Sequence, residues 1–587
     1  MHVRGAFIVE PQTLESSTDR VGENMYTPEI APLADSLMRS SLVALLPLLT
    51  IFVTLGFLKW KAHWAGLAAV IVALIVAIFV YGMPVGLAGL SASQGFAFGL
   101  FPIMWIVITA IWLYELTVKS GHFEDLRLVI NVISDDPRVQ AILVAFCFGG
   151  LLEALAGFGA PVAITGVMLI AVGFTAMRAA VVVLVANTAP VAFGAIAIPI
   201  ITAGTLTGID YKEIGAMVGH QTPLLAAVVP LFLIFLVDGK RGLRQLWPLA
   251  LVVGIVFGAA QFVSANYLSV EMTDIIASLM GLAAAVIMLQ FWKPVGGQDA
   301  LDKMADERSR EKASAPDAGG AAAAVATSVD TKAAPLTGKR VFMALFPYLI
   351  VIVIFSGAKL IPVIDKWLAS TDVKIPWPGL DGNIMTAAGE LSTSTVYNFQ
   401  WLSSPGTMLL ASGIIVAIVY KMTAKDAVQV FVDNVVKMRF SILTVGLVLA
   451  LAYVMNLSGQ TITIGTWIAG TGALFAFLSP ILGWLGTAVT GSDTSANALF
   501  ATLQQTAATK AGIDPVLLVA ANSSGGVVGK MISPQNLTIA ATAVGLLGQE
   551  ASIFRRVIWW SLGMLVVMCL LVGLQSTVLS WMVPGGA

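Results

Sequence analysis

One stretch decides the fold of this chain: Ala521-Asn522-Ser523-Ser524-Gly525-Gly526-Val527-Val528-Gly529-Lys530-Met531-Ile532-Ser533-Pro534. It places small, polar and charged residues where the surrounding sequence is apolar enough to span a membrane. Polar and charged residues are costly in lipid, so a span that keeps them is expected to use them. The three glycines permit unwound backbone and Pro534 removes a helix hydrogen bond, so the stretch predicts a broken helix.

Two matching pairs of stretches predict an internal repeat. The stretch above has a fainter copy, Asn187-Thr188-Ala189-Pro190-Val191-Ala192-Phe193-Gly194-Ala195-Ile196-Ala197-Ile198-Pro199, in which Asn, Gly and Pro keep the same spacing. The second pair is Ala156-Gly157-Phe158-Gly159-Ala160-Pro161 and Thr490-Gly491-Ser492-Asp493-Thr494-Ser495-Ala496-Asn497, which precede the two asparagines by about thirty residues. A chain rich in Gly, Ala and Pro can match itself once by chance. Two matches in the same order favour a repeat.

The composition is that of an integral membrane protein. Of 587 residues, 58% are hydrophobic and only 11% are charged, too few to cover a soluble globule of this size. The net charge of −1 and the lack of a basic cluster argue against nucleic acid as a partner. Cys147 and Cys569 lie in apolar runs and the histidines lack metal-ligand spacing, so neither a disulfide nor a metal site is expected.

The distribution of apolar runs predicts an all-α polytopic membrane protein with about fourteen transmembrane helices. The predicted spans are 41–58, 64–82, 97–117, 140–156, 179–203, 220–237, 247–267, 273–292, 341–364, 406–422, 440–458, 461–479, 514–545 and 557–582. Two more apolar segments, 157–175 and 480–505, are interrupted by small or polar residues. These either cross the membrane or fold back as re-entrant hairpins.

Lysine and arginine positions predict the orientation. They gather in short connections and in 293–340, which the positive-inside rule places in the cytoplasm. If both interrupted segments cross, the Asn187 helix runs outward and the Asn522 helix runs inward, the relation expected of inverted repeats in an ion-transporter-like fold. The charged, amphipathic segments 119–138 and 424–438 are expected to be interfacial helices.

The chain accordingly divides into four parts. We expect a polar N-terminal tail at 1–40, a first membrane half at 41–293, a flexible cytoplasmic linker at 294–340 and a second membrane half at 341–587. The tail has no apolar run that would make it a cleaved signal peptide. The outer loop 366–405, with three tryptophans and several prolines, suits a structured cap or an aromatic belt.

Three charged residues in the repeats are candidates for chemistry. Glu153 has no Lys or Arg near it in sequence, and burial disfavours its charged form, so it either couples transport to protons or stays neutral and hydrogen-bonded to backbone. Asp493 and Lys530 can form a structural ion pair. Alternatively, Lys530, Asn522, Ser523 and the free amides of a broken helix receive a substrate carboxylate.

These motifs also resemble the lactate permeases, a family that includes L-lactate and glycolate permeases of bacteria. The resemblance lies in Glu153 to Ile164 (EALAGFGAPVAI), Asn187 to Pro199 (NTAPVAFGAIAIP), Gly483 to Ala501 (GWLGTAVTGSDTSANALFA) and Val519 to Pro534 (VAANSSGGVVGKMISP). It extends over about 41–582. Two departures are visible: the tail and linker are longer than in the family, and Ser523-Ser524 stand where Thr-Thr is expected. The serine pair leaves the choice among 2-hydroxy acids open.

The resemblance implies uptake of small 2-hydroxy monocarboxylates such as L-lactate, D-lactate or glycolate, by proton symport across the bacterial inner membrane. It also implies elevator-like movement and a homodimer, with the lipid bilayer and the substrate as the other partners and no cofactor beyond protons as coupling ion. The expected proton-linked residues are Glu153 and Asp493. The expected substrate contacts are Gly157, Gly159, Asn187, Ser492, Asn522, Ser523 and Lys530.

Three other functions stay open at this point. A gated small-anion channel would use the same helix ends without a titrating carboxylate. A sodium-coupled carboxylate transporter would use Asn, Ser and unwound carbonyls as Na⁺ ligands. A polytopic membrane enzyme has the least support, because the chain lacks a nucleophile-elbow or Ser/His/Asp pattern.

Overall fold

The structure is a computed structural model that describes residues 25–155, 157, 159–314, 337–387, 389–546 and 548–584. The described residues are mostly helical. The α-helices are Leu37–Ala44, Leu46–Phe52, Ala62–Phe79, Val85–Phe98, Trp105–Lys119, His122–Ile133, Pro137–Gln140, Gly149–Leu155, Ala160–Val172, Ala176–Ala186, Gly194–Thr207, Tyr211–Val218, Thr222–Val263, Thr273–Phe291, Gly297–Ser314, Gly338–Leu360, Pro362–Ser370, Pro405–Val419, Ala424–Ser458, Gln460–Ala469, Phe475–Thr490, Asp493–Ala511, Pro515–Gly529, Pro534–Ala543 and Glu550–Gln575.

Shorter elements join or interrupt these helices. The π-helical turns are Val53–Phe57, Gly99–Met104, Ala141–Phe148 and Ser264–Leu268, and the 3-10 turns are Val191–Phe193, Thr393–Thr395, Gly472–Leu474, Lys530–Ile532 and Ser580–Met582. The strands Val373–Pro376 and Val396–Phe399 pair antiparallel in the 366–405 segment. This segment is therefore a structured cap.

The all-α polytopic fold is confirmed, and the span count differs from the predicted one. Among the described residues, eleven helices are long and apolar enough to cross a membrane, or twelve if the bent pair Ala176–Ala186 and Val191–Thr207 is one span. Part of the difference arises in Thr222–Leu268, which contains two predicted spans. Its backbone turns at Gly239 (φ 63°), and Gly254 packs against the Ala227 backbone, so the segment is two antiparallel arms.

Two long helical segments form the centre of a scaffold. Val85–Lys119 runs antiparallel to Ala424–Ser458. At one end the Asn434 amide donates to the Ile108 carbonyl, and at the other end Gly95 lies against the Leu449 carbonyl. The segment 424–438, predicted as an interfacial helix, is helical and continues without a break into the predicted span 440–458. It packs on the first long segment, where the Trp112 indole donates to the Ala427 carbonyl.

Two helical hairpins are observed in the regions of the two predicted interrupted segments. The first consists of Pro137–Leu155 and Ala160–Val172, and the second of Phe475–Thr490 and Asp493–Ala511. The second turn lies at Gly491 (φ 78°), a left-handed conformation that favours glycine. The predicted boundary at 480 is therefore wrong, and the predicted span 461–479 is divided between Gln460–Ala469 and the first arm of the second hairpin.

The two hairpins have their bases at opposite ends of the same segment, Ala176 to Thr207. Arg178 lies at its first turn, beside the base of the first hairpin. At the other end, the Gln505 amide of the second hairpin donates to the Thr207 carbonyl over 2.8 Å. The hairpins thus enter from opposite sides, as inverted repeats require. The internal symmetry itself stays a prediction.

The linker and the tail are more ordered than expected. Gly297–Ser314 is a helix, held by ion pairs of Lys303 with Asp238 (3.2 Å) and of Glu307 with Arg178, so the prediction of a flexible linker is wrong for this part. The rest of the linker, 315–336, lies outside the described residues, as does 1–24 of the tail. The Tyr26 hydroxyl is buried and donates to the Ser458 carbonyl over 2.9 Å.

Candidate functional site

The tips of the two hairpins meet around a small internal cavity. It has a volume of about 30 Å³, and its wall includes Glu153, Gly157, Ala195, Ser492, Asp493 and Lys530. This volume holds about one or two water molecules. Five of the nine residues predicted to act in transport thus lie on one wall, although they come from both halves of the sequence.

A buried ion pair joins the two halves at this cavity. The Lys530 Nζ lies 2.5 Å from Glu153 Oε1, and their side chains are only 8% and 3% exposed. The Asn187 amide donates to Glu153 Oε2 over 3.0 Å. Breaking such a pair leaves an uncompensated buried charge, which costs several kcal/mol. Glu153, Asn187 and Lys530 are therefore one unit.

This pairing corrects two expectations. Glu153 has a basic partner, and the partner of Lys530 is Glu153 in place of Asp493. The residues that pair are 377 positions apart, and only the fold of the first hairpin brings Glu153 to the second half. Asp493 instead accepts hydrogen bonds from the Ser523 hydroxyl (2.9 Å) and the Thr487 hydroxyl (3.3 Å).

The helix that carries Asn522 and Ser523 is regular, contrary to the prediction of unwound backbone there. Both residues lie inside Pro515–Gly529. Gly525 lies against the Pro480 carbonyl and Gly529 against the Trp484 carbonyl, so these glycines allow close packing on the first arm of the second hairpin. The break comes later, at the 3-10 turn Lys530–Ile532, after which Pro534 begins the next helix.

Asn522 and Ser523 lie behind the cavity wall and are fully buried. The Asn522 amide donates to Asn497 Oδ1 over 2.9 Å, and the Asn497 amide donates to the Ser523 hydroxyl (2.6 Å) and to the Pro199 carbonyl (3.1 Å). Together with the bond from Ser523 to Asp493, these contacts form a continuous network. The network fixes the Asp493 carboxylate and ties it to the backbone of the first half.

The two predicted glycines of the first hairpin tip differ in their surroundings. Gly157 (φ 46°) lines the cavity beside Glu153, whereas Gly159 (φ 86°) lies against Ile539 and Asn536, away from the cavity wall. The Asn536 amide also donates to the Gly491 carbonyl over 3.3 Å. Both tips are thus attached to the helix that follows the Lys530 break.

Strained backbone borders the cavity in the first half. Ala195, Ile196 and Ala197 have φ values of 45°, 59° and 56°, a left-handed turn that is costly for residues with a Cβ and most of all for a β-branched one. At the preceding residue, Gly194, an added Cβ would lie 2.9 Å from Glu153 Oε1. The turn therefore brings its backbone close to the ion pair, which a side chain at Gly194 would obstruct.

Two further residues of this region, Asp274 and Gln261, were not predicted from the sequence. Both are fully buried, and the Gln261 amide donates to Asp274 Oδ1 (2.9 Å) and to the Ala189 carbonyl (3.1 Å). The helix that begins with Asp274 in its first turn packs on the helix that carries Glu153, where an added Cβ at Gly150 would lie 2.6 Å from Ser278 Oγ. Asp274 stands at the start of a predicted span, a position that is typical of an acid at the membrane interface. Gln261, a polar residue inside the preceding predicted span, is the sequence feature that could have indicated a buried polar pair.

A second, larger cavity lies between this site and the cap. We call it the outer cavity; its volume is about 730 Å³, and its wall includes Ile201, Gly204, Tyr211, Glu271 and Asp372. The helix Gly194–Thr207 passes from the small cavity, at Pro199, to the outer cavity, at Ile201. Two residues of helix rise span about 3 Å. A thin protein layer therefore separates the two spaces.

Among the described residues, no group of three or more His, Cys, Asp and Glu side chains is placed to hold a metal ion. The wall of the small cavity instead offers the ammonium group of Lys530, two carboxylates and the hydroxyls of Ser492 and Thr494. This set can bind an organic anion through Lys530, hydrogen-bond a hydroxyl group, and accept or release protons.

Comparisons with known proteins cover nearly the whole chain. A model of the L-lactate permease family matches residues 40–579. An L-lactate permease of Bacillus subtilis (strain 168) is 41% identical over 577 residues, which are 95% of this chain and 100% of that protein. A glycolate permease of Escherichia coli (strain K12) is 39% identical over 92% of this chain and 97% of its own length. An L-lactate permease of the same strain is 41% identical, covering 94% and 98%.

Proposed function

The chain belongs to the L-lactate permease family, and on this premise we propose that it imports L-lactate and related 2-hydroxy monocarboxylates, such as D-lactate and glycolate, by proton symport. It is a multi-pass protein of the bacterial inner membrane. The names of its relatives support the substrate class. The observation that carries the proposal of proton coupling is the buried ion pair of Glu153 and Lys530 at the meeting point of the hairpin tips.

In this proposal the substrate and Glu153 compete for the same ammonium group. The substrate carboxylate binds Lys530, which is the cation of the cavity wall. While Glu153 is ionised it occupies that position at 2.5 Å. A proton on Glu153 removes its charge, weakens its hold on Lys530 and makes room for the substrate anion. Proton binding therefore precedes or accompanies substrate binding.

The 2-hydroxyl group gives the remaining specificity. Asp493 and Ser492 lie on the same wall as Lys530 and supply acceptors for a hydroxyl donor. The network through Ser523 and Asn497 holds the Asp493 carboxylate in place. A monocarboxylate without the hydroxyl loses this hydrogen bond to a charged acceptor, which is worth about 1.5–3 kcal/mol. Propionate should accordingly be a much weaker substrate than lactate.

Binding requires movement of a hairpin tip. Lactate has about six heavy atoms and occupies several times the volume of a water molecule, whereas the small cavity holds about one or two waters. Thr502 and Thr506, on the second hairpin, line the outer cavity. A shift of this hairpin joins the two cavities and admits substrate from outside. The corresponding movement of the first hairpin opens the site toward the cytoplasm, which gives alternating access.

Uptake of radiolabelled L-lactate into proteoliposomes tests the proposal. In sodium-free buffer, an inward proton gradient is expected to drive accumulation above the level reached by passive entry in protein-free liposomes, and a protonophore is expected to abolish it. Equilibration without accumulation would favour a channel. Accumulation that depends on added sodium would favour the sodium-coupled alternative. No uptake of any 2-hydroxy acid would refute the substrate class.

A pair of lysine variants tests the binding role of Lys530. Lys530→Met removes the ammonium group from the cavity, whereas Lys510→Met removes an exposed lysine at the end of the second hairpin. We expect substrate binding to fall at least about a hundredfold in the first, from loss of a charged hydrogen bond of about 3 kcal/mol. The second should behave as wild type. Unchanged affinity in Lys530→Met protein would assign Lys530 to structure alone.

A further inference from the structure

Asp274 is a buried carboxylate that the mechanism above does not use. It lies in the first turn of Thr273–Phe291 and is fully buried. Its Oδ1 accepts from the Gln261 amide over 2.9 Å, while its Oδ2 has no hydrogen-bond partner among the described residues. Gln261 Oε1 and Ser278 Oγ, in the same part of the structure, are also buried and have no hydrogen-bond partner in the described part of the chain. An isolated buried charge is very costly, so an oxygen in this position is suited to carry a proton.

The charged surroundings of Asp274 come from the transport site. On the described helices and turns packed against its helix, the titratable groups are Glu153, Cys147, the exposed Tyr267 and the charged residues at 238–244. The last group is about twenty residues along the helix from Gln261, or about 30 Å away. Glu153, with its partner Lys530, is at the level of Asp274, because an added Cβ at Gly150 would lie 2.6 Å from Ser278 Oγ and one at Gly281 would lie 3.7 Å from Cys147 Sγ. A change in the charge of either therefore alters the free energy of protonating Asp274.

Asp274 is also close in sequence to a carboxylate of the outer cavity. Three residues earlier in the chain, Glu271 lines that cavity and accepts hydrogen bonds from the Tyr211 hydroxyl (2.8 Å) and the Ser269 hydroxyl (2.7 Å). Asp274 thus has a carboxylate of the outer cavity just before it in the chain and the carboxylate of Glu153 on the helix packed beside it. Chains of buried carboxylates within membrane spans are a recognised arrangement for proton transfer.

We propose that Asp274 is a second proton-binding site, which passes protons from the outer cavity to Glu153; this rests on the proton symport proposed above. A proton from water in the outer cavity binds Asp274 Oδ2, by way of Glu271, as its bond to the donor oxygen breaks. It then moves to Glu153, which changes from carboxylate to carboxylic acid and releases Lys530. Asp274 returns to its starting state, so one proton is transferred and none is consumed.

Two transport assays separate this role from a structural one. Proton-driven accumulation of L-lactate requires net proton delivery to Glu153. Counterflow, in which internal unlabelled lactate exchanges for external labelled lactate at equal pH, requires the moving parts and the substrate site but no net proton transfer. In Asp274→Asn protein we expect the rate of proton-driven uptake to fall at least about tenfold, as for loss of a proton-transfer group. Counterflow is expected to stay within about threefold of wild type.

The matched control is Asp433→Asn, which makes the same chemical change at an exposed helical position. It should leave both rates unchanged. Asp274→Asn protein that retains both rates would overturn the proposal. Loss of both rates would also overturn it, because Asp274 would then be needed for folding or for movement. Wild-type protein that exchanges but never accumulates lactate would instead refute the proposed symport, so the two failures are distinguishable.

Discussion

Replacing Glu153 with glutamine tests whether the Glu153 carboxylate competes with the substrate carboxylate for Lys530. The substitution keeps the size of the side chain and removes its charge. In the wild-type protein, substrate must displace a carboxylate that lies 2.5 Å from Lys530 Nζ. Replacing a charged acceptor by a neutral amide weakens the hydrogen bond to the ammonium group by about 1.5–3 kcal/mol. Because 1.4 kcal/mol corresponds to about tenfold in affinity, Glu153→Gln should bind lactate roughly ten to a hundred times more tightly than wild type near neutral pH.

The same competition predicts a difference in pH dependence. Lactate is ionised above about pH 5, so its own charge changes little in this range. Wild-type affinity should rise as the pH falls, because protonation of Glu153 removes the competitor. Glu153→Gln protein lacks this group and should bind lactate with nearly constant affinity. Proton-driven accumulation should be lost in the variant, while counterflow remains.

Purified protein allows both effects to be measured. Binding of radiolabelled lactate and the lactate-dependent rise in melting temperature are measured at several pH values, with Glu390→Gln, an exposed glutamate of the cap, as matched control. We expect substrate-free Glu153→Gln to melt below wild type, because Lys530 has lost its counter-charge. Lactate should restore more stability to the variant than to wild type. Unchanged affinity, an unchanged pH profile and intact accumulation would together refute competition for Lys530.

Four other outcomes follow from the geometry. Gly194→Ala should lower transport at least about tenfold, since the new Cβ would lie 2.9 Å from the carboxylate of the ion pair, and uptake assays check this. Gly526→Ala would place a Cβ against the Asp493 carboxylate and should lower the free energy of unfolding by about 1–3 kcal/mol. Gly563→Ala, whose new Cβ would have no neighbouring atom within 4 Å, should leave it unchanged, and thermal melting of the two variants checks this. Arg138→Met leaves the buried Asp136 without its basic partner, removes one of three basic partners of Asp238, and should cost about 3–5 kcal/mol. Lys303→Met, at a side chain that is 47% exposed, should cost less than about 1 kcal/mol, and thermal melting checks both values. A membrane potential alone, imposed with potassium and valinomycin, should drive no accumulation, because one proton and one monocarboxylate together carry no net charge.

The sequence was sufficient to predict interrupted helices in both halves, but it left open whether they cross or re-enter, and it did not identify the residues that pair. Matched motifs around Gly157, Ser492 and the two asparagines predicted breaks in corresponding places, because glycine, proline and polar residues together in an apolar span favour a break in its helix. Which charged residues then pair depends on how the hairpins pack. The sequence therefore suggests Asp493, in the same half, as one possible partner of Lys530, whereas the structure pairs Lys530 with Glu153 from the other half.

Glycines and acids at span ends were ambiguous for physical reasons. A glycine in a span permits either unwound backbone or close helix packing, and the sequence around Gly525 and Gly529 does not distinguish them. The structure shows close packing. An acid at the start of a span is typical of the membrane interface, although Asp274 is fully buried because the cap and neighbouring helices cover that end. The linker helix was not predicted because its buried apolar face is as narrow as Ala300 and Met304, and ion pairs supply much of its remaining attachment.

The placement of opposite charges on two hairpin tips gives a physical basis for tight coupling. With the site empty, Glu153 and Lys530 neutralise each other; with proton and substrate bound, the substrate carboxylate takes the place of Glu153, and the site has the same net charge. A site with only the proton leaves the ammonium group unpaired, and a site with only the substrate holds two carboxylates around one cation. Each of these half-loaded forms contains an uncompensated buried charge, which costs about 3–5 kcal/mol. At about tenfold per 1.4 kcal/mol, such forms are populated more than a hundred times less than the neutral ones. A hairpin therefore closes only over a site that is charge-balanced, so proton and substrate move together. The ion pair that stabilises the empty protein also prevents either of them from crossing alone.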